Sequence, residues 1–241
     1  MLEKTRGIVL RTTDYGETSL VVKVFTEAYG LQSYIVNSVR KPGAKTRASV
    51  FQPLSLLELV VYHKDRGGLQ RASEIRNFPP YRHLPFDMQK SSIVLFLDEV
   101  LNKVLQEGGE QQEVFEFLVS SLQLLDLQQP ANPDFHLAFL LRLTRLLGFF
   151  PAGAPSEATP VFDLQEGVFC SQVPPHPHYL TGEECTAFGS LIEATNDFSK
   201  HLQWPLPLKR VMTERLLDYY RLHVPGFGEV RGHKVLEAVW G

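Results

Sequence analysis

The stretch Gly7-Ile8-Val9-Leu10-Arg11-Thr12-Thr13-Asp14-Tyr15-Gly16-Glu17-Thr18-Ser19-Leu20, continuing through Gly30-Leu31 to Arg40-Lys41-Pro42, decides the fold. Apolar residues recur here with period two, the spacing of a strand whose side chains alternate between faces. Leu20, Val22 and Val24 share one face of a strand; Leu31, Ser33, Ile35, Asn37 and Val39 share one face of the next. Leu57, Leu59 and Val61 alternate with Leu56, Glu58, Val60 and Tyr62, a strand apolar on nearly both faces. Arg6–Thr12 ahead and Leu69–Arg76 behind complete a set of five. Turn residues fall at Asp14-Tyr15-Gly16, Tyr29-Gly30, Lys41-Pro42-Gly43 and Gly67-Gly68. Five short strands in so little chain fit a small closed barrel. The OB-fold is the commonest such barrel and often binds single strands; an SH3-like barrel is the structural competitor.

Beyond Asn77-Phe78-Pro79-Pro80 and Leu84-Pro85 the period changes to that of helices. Ser91 to Leu105 carries Ile93, Val94, Leu97, Val100, Leu101 and Val104 at helical spacing, and Glu110 to Leu127 reads as a second helix. Asn132-Pro133 has the form of an N-cap with proline at the first helical position, and Gly148 that of a C-terminal stop. The helix between them, Asp134 to Leu147, is apolar almost all round, so it is expected to be buried by its neighbours. Pro151 to Pro177 holds six prolines and reads as irregular. Thr181–Ser199 and Pro207–Val224 read as further helices, and the tail Gly228–Trp240 is compatible with a short last one. The expectation is an α+β chain: a β module over residues 1–80 and a helical domain over 81–241, with an irregular insertion at 151–180.

Charge divides the chain at the same place. Residues 1–80 hold 12 Lys and Arg against 7 Asp and Glu, a balance of +5; residues 81–241 hold 12 against 20, a balance of −8. The whole-chain value of −3 hides this. A basic module attracts polyanions even on an acidic protein, because the local field acts over a Debye length of about 8–10 Å. Ten of these cations are the candidates for DNA contact, Lys4, Arg6, Arg11, Arg40, Lys41, Lys45, Arg47, Arg66, Arg71 and Arg76, densest in the loop Arg40–Arg47. Such a loop suits a phosphate backbone, where each contact releases condensed counterions; solvated surface charge is the plainer alternative. Tyr15, Tyr29 and Tyr34 lie among these cations as candidate stacking surfaces for bases, or as ordinary barrel packing.

Cys170, His176, His178 and Cys185 fall close together, but each cysteine stands alone, whereas structural zinc sites present a close chelating pair. No resident metal is expected from them. With only two cysteines there is no disulfide framework. Arg142 and Arg145 share a face of the apolar helix: they either reach solvent or a buried carboxylate, or form a cationic rim on an apolar pocket suited to an acidic peptide. The chain has no Gly-x-Ser-x-Gly, phosphate-binding Gly-x-x-x-x-Gly-Lys, Gly-x-Gly-x-x-Gly or His-Glu-x-x-His. Neither catalysis nor a cofactor is expected. No apolar run reaches the roughly 20 residues needed to span a bilayer, and Met1–Arg6 lacks the apolar stretch of a signal peptide, so a cytoplasmic chain without a membrane partner is expected.

Several stretches, in order, resemble the bacterial DNA repair protein RecO family: Gly7-Ile8-Val9-Leu10, Tyr15-Gly16-Glu17-Thr18-Ser19-Leu20, Val24-Phe25-Thr26-Glu27 then Gly30-Leu31, Val39-Arg40-Lys41-Pro42, and Phe51-Gln52-Pro53-Leu54. Leu140 to Phe149 resembles that family's central helix, and Leu208-Lys209-Arg210-Val211-Met212, with the helix to His223, its C-terminal element. The resemblance implies an OB-fold joined to a helical domain, binding of single- and double-stranded DNA, and annealing of complementary strands. It further implies help in loading RecA onto DNA coated by single-strand-binding protein, with RecR and the acidic C-terminal tail of single-strand-binding protein as partners, in a cytoplasmic, nucleoid-associated setting. Many family members carry two Cys-x-x-Cys pairs after the central helix. Here Phe162 to Cys170 is similar to the approach to the second pair, but Val173 stands at its partner position and Pro151–Ser156 has no cysteine. The resemblance therefore implies a zinc-finger-like insertion without metal, held by apolar packing. An RNA-binding or translation-associated OB-fold protein is the alternative for the same cations, and a pure interaction scaffold a third.

Overall fold

The computed structural model describes residues 2–41, 43–44, 46–63, 68–106, 111–195 and 202–240. The chain forms two compact units, Met1–Leu127 and Gln128–Gly241.

In the first unit five strands, β1 (Leu2–Tyr15), β2 (Ser19–Thr26), β3 (Gly30–Val36), β4 (Leu56–Tyr62) and β5 (Leu69–Asn77), close into a barrel of order β1-β2-β3-β5-β4. All neighbours are antiparallel except β3 and β5, which run parallel. This is the OB-fold expected from the sequence, and it abolishes free sheet edges. One long strand does the work of closure. Leu2–Ile8 of β1 pairs with β4, while Gly7–Tyr15 pairs with β2, with a register shift between Val9 and Arg11. A shift of this kind bends and twists a strand, which is what lets it serve two partners. Where the two pairings overlap stands Gly7: a Cβ there would lie 2.5 Å from Val24 Cγ1 and 2.8 Å from Leu59 Cδ1. Val9, Leu20, Val22, Val24, Tyr34, Val36, Leu57, Leu59 and Val61 fill the barrel.

β1 runs three residues past the expected Thr12, to Tyr15, so that of the expected turn Asp14-Tyr15-Gly16 only Gly16, at φ +60°, lies beyond the strand. β3 stops at Val36, short of the expected Val39, since Ser38 takes a left-handed φ of 62°. Two helices complete this unit, α1 (Met88–Val104) and α2 (Gln112–Leu127). Asp87 caps α1, its carboxylate accepting from the amides of Gln89 and Lys90, as an N-cap does. The buried carboxylate of Asp126, in the last turn of α2, accepts from the amides of Arg82, His83 and Leu84 at 2.8–3.1 Å. It fixes the connection between β5 and α1. Lys90, fully buried, donates from Nζ to the Asp126 carbonyl at 2.8 Å.

The second unit contains α3 (Phe135–Leu146), three short strands β6 (Val161–Asp163), β7 (Val168–Cys170) and β8 (Tyr179–Thr181), then α4 (Gly182–Ala194), α5 (Leu206–His223) and α6 (Gly232–Trp240). Phe135 to Leu141 are buried without interruption, and α3 packs against α4 and α5, as its all-round apolarity requires. Gly148, at φ +87°, ends it, and the amides of Leu147, Gly148 and Phe149 return to the carbonyls of Leu143, Arg145 and Thr144, satisfying the orphan acceptors of the last turn. The stretch expected to be irregular contains a small antiparallel sheet of order β7-β6-β8. Three residues per strand is too short for alternation to register. Phe162 anchors this sheet, its ring 4.8 Å from Phe169 and 4.5 Å from Phe188 between centroids. No helix among the described residues is long and apolar enough to cross a membrane.

Candidate nucleic-acid interface

The cations of the barrel divide by what already holds them. Arg6, on β1, grips Glu27 through two hydrogen bonds, Nε to Oε2 at 2.8 Å and Nη2 to Oε1 at 2.5 Å. The same Nη2 also reaches Glu116 of α2, and the guanidinium lies 5.3 Å over the Phe115 ring. These pairs raise the pKa of Arg6, Glu27 foremost, and Arg6 in turn holds the Glu27 carboxyl below the usual range. Arg40 pairs with Asp14 at 3.0 Å and donates to the carbonyls of Gly16 and Ser19; it ties the start of the Arg40–Arg47 loop to the β1–β2 turn. Arg76 pairs with Glu58 across β4 and β5 at 2.8 Å.

Lys4, Arg11, Lys41, Arg47 and Arg71 are different. All five are exposed, and none has an ion-pair partner among the described residues. Lys45 and Arg66 lie outside the described residues.

Two adjoining hollows run beneath the loop after β3. One, of about 450 Å³, is lined by Lys41, Gly43, Ala44, Thr46, Ser73 and Ile75 among others. The other, of about 370 Å³, is lined by Lys4, Glu58, Ser73, Ile75 and Arg76 and shares Thr46 with the first. Lys41 thus lines one hollow and Lys4 the other, which the Arg76–Glu58 pair also lines. Glu74 lines that second hollow too, so it is amphoteric rather than uniformly basic.

Tyr34 is not on this surface. Its ring fills the barrel core with no exposure, and burial pushes its phenol up to about 12. β3 alternates inward at that position, so the ring offers no face to a base. Tyr29 is half-buried, stacked on His63 at 3.8 Å between centroids. Tyr15 is 53% exposed and Tyr62 43%. Tyr62 stands opposite Arg71 in the β4–β5 register. Sequence reasoning passed over Tyr62 as a site residue, although its place on the outward phase of β4, with Glu58 and Val60, was legible.

In the second unit Arg142 donates from Nε to the Thr195 carbonyl at the C-terminal end of α4, a place where a cation complements the helix dipole. Arg145 is exposed, its guanidinium 4.1 Å over the Phe150 ring. The two therefore do different things, although they share a helix face. Cys170 is half-buried on β7 and Cys185 buried on α4, both as free thiols. His176 faces Asp163 at 3.4 Å. Among the described residues the group of potential metal ligands that comes together is a different one, Glu214, His233 and Glu237.

The family description "Recombination protein O N terminal" matches residues 1–78, and "Recombination protein O C terminal" matches residues 85–229. Among curated relatives, the DNA repair protein RecO of Azobacteroides pseudotrichonymphae is 32% identical over 240 residues, covering all of both chains. That of Phocaeicola vulgatus is 34% identical over 244 residues, again covering all of both, and that of Flavobacterium psychrophilum is 35% identical over 98% of each. With a closed β1-β2-β3-β5-β4 barrel leading into helices, and matches along nearly its whole length, the chain belongs to the recombination protein O family.

Proposed function

We propose that this chain is a non-enzymatic mediator of recombinational DNA repair. Residues 1–80 act as the nucleic-acid-binding module and residues 81–241 as the helical part that meets protein partners. The observation that carries the reading is the set of exposed cations without ion-pair partners among the described residues, Lys4, Arg11, Lys41, Arg47 and Arg71, on an OB barrel and its loops. Cations without carboxylate partners gain by exchanging condensed counterions for phosphate contacts, whereas Arg6, Arg40 and Arg76 must first give up a partner. In the sequence Lys45 extends the same loop and Arg66 falls between the stretches that form β4 and β5. Tyr62 beside Arg71 supplies a face on which a base can stack.

The relatives are named for DNA repair, which favours DNA over RNA as the polyanion. Binding of both single- and double-stranded DNA follows from contacts to phosphate rather than to base edges, and it suits annealing of complementary strands. In this reading RecR and the C-terminal tail of single-strand-binding protein are the protein partners, RecA being loaded indirectly. Arg145, exposed beside Phe150, is the cation offered to the acidic tail, and Arg142 supports the helix next to it.

Paired filter binding of labelled single-stranded DNA and RNA of one sequence, each at two salt concentrations, tests the reading. Binding of DNA at least as tight as RNA, weakening steeply with salt, is expected. Preference for RNA would transfer the chain to translation-associated chemistry, and no binding to either would leave a protein scaffold.

A further inference from the structure

We propose that Glu214, His233 and Glu237 form a binding site for a divalent transition-metal ion that ties the C-terminal helix α6 to α5. One donor atom from each of the three lies within 4.8 Å of the other two. His233 and Glu237 are four apart on α6 and so share a helix face, while Glu214 reaches them from α5. This helix follows residue 229, where the family match ends.

The burial of His233 gives the cluster its meaning. The residue is 6% exposed, its Nε2 lies 2.8 Å from Glu214 Oε1, and its Nδ1 is buried with no hydrogen-bond partner. Buried ring nitrogens ordinarily find partners. The imidazole pairs with one carboxylate and has a second, that of Glu237, within 4.8 Å of the cluster, with one ring nitrogen left over. Beside His233 and Glu237 lies a small cavity of about 30 Å³, which Trp240 and Thr213 also line. That is room enough for a water. Two cations of α5 line the same cavity: Lys209 is bound to Asp134 at 2.7 Å, and Arg210 makes no ion pair with either carboxylate.

One imidazole and two carboxylates, with room for a water, suit a four-coordinate zinc-like ion with three protein ligands and one open position. Bonds of about 2.0–2.2 Å place neighbouring donors of such a site roughly 3.3–3.6 Å apart. His233 Nε2 and Glu214 Oε1, now 2.8 Å apart, open to that spacing, and the remaining donors, within 4.8 Å, reach it by side-chain rotation, for which Glu214, 45% exposed, has room. Nitrogen and oxygen donors without thiolate also accept cobalt.

The test uses the full-length, tag-free chain after chelator treatment, titrated with Zn²⁺ by calorimetry and with Co²⁺ by visible absorption. We expect one ion per chain, Co²⁺ bands of the intensity typical of four-coordination, and a rise in melting temperature on Zn²⁺ addition. His233→Ala and Glu237→Gln should each weaken binding by at least about tenfold, since even the groups that merely support ligands are worth about 10–100-fold. Glu237→Gln is conservative in shape, so it reads the site even if His233→Ala loosens α6. A Cys170→Ser/Cys185→Ser double variant should bind as wild type does. Failure of the folded wild-type chain to bind either ion would overturn the proposal. So would stoichiometric binding that Glu237→Gln leaves unchanged, or that the cysteine variant abolishes. None of these outcomes depends on whether the barrel binds DNA.

Discussion

Replacing Arg6 by Ala separates a structural cation from a DNA-binding one. Arg6 makes two hydrogen bonds to Glu27, a third to Glu116 and a cation–π contact with Phe115, so it joins β1 to the β2–β3 turn and to α2. Hydrogen bonds to charged groups contribute about 1.5–3 kcal/mol. The Arg6 side chain is 36% exposed, so solvent screening brings the expected loss to about 1–2 kcal/mol. The pH dependence has a definite sign. Because Arg6 holds the Glu27 carboxyl below its ordinary value, the stabilisation is complete above the unfolded value of about 4.3. It fades as the pH falls through the lower folded value. Urea unfolding followed by circular dichroism should therefore show the variant about 1–2 kcal/mol less stable at pH 7 and closer to wild type in acid. DNA binding by the still-folded variant should keep its salt slope. A slope lowered by the equivalent of one phosphate, about 0.7–0.9, with stability untouched, would refute the assignment of Arg6 to the fold.

Asp98 of α1 is largely buried, with Oδ1 lacking a partner, and burial foremost, then Glu99, pushes its carboxyl up to about 7. A raised carboxyl pKa costs stability as the pH rises from about 4 towards 7. Asp98→Asn should accordingly raise the melting temperature at pH 8 and do little at pH 4, gaining upwards of about 1 kcal/mol, since one pKa unit is worth about 1.36; equal effects at the two values would count against the burial argument. Asp126→Ala strips three amides of their acceptor. It should cost about 3–5 kcal/mol in chemical denaturation, and a loss below about 1 kcal/mol would mean that water replaces the carboxylate. Arg145→Ala should weaken an acidic tail peptide by about 1.5–3 kcal/mol in calorimetry without lowering stability, whereas Arg142→Ala should lower the stability of the second unit by releasing the α4 terminus; identical peptide affinities for wild type and Arg145→Ala would remove Arg145 from the site.

The barrel was legible because its information is local. Alternation at Leu20–Val24 and Leu57–Val61, with glycines at the turns, specifies strands from neighbours two apart. The burial of α3 was legible too, since an apolar helix has only one place to go. What escaped was set by distance in the chain. That Arg6 belongs to Glu116 depends on two residues 110 apart, and no spacing rule reports such a pair. For the same reason the sequence ranked Arg6, Arg40 and Arg76 equally with Lys4, Arg11 and Lys41, although carboxylates hold the first three. Tyr34 and Tyr62 differ only in which phase of a strand they occupy. Reading Tyr34 by its cationic neighbours rather than by its alternation with Val36 turned a core ring into a surface one. The β6–β8 sheet was missed because its strands are only three residues long. The His233–Glu237 spacing is visible in the sequence, but Glu214, the residue that makes it a cluster, is not.

The central claim is that the barrel grips DNA through cations that no carboxylate holds. It is tested most directly by the salt dependence of single-stranded DNA affinity in two variants, Lys4→Ala/Lys41→Ala/Arg47→Ala and Arg40→Ala/Arg76→Ala. The first should weaken binding to all sequences alike and lower the log–log slope by about 0.7 for each phosphate no longer neutralised, roughly 2 in all. The second should change the slope by less than the equivalent of one phosphate. Equal slopes in wild type and the first variant, or a larger drop in the second, would contradict the account.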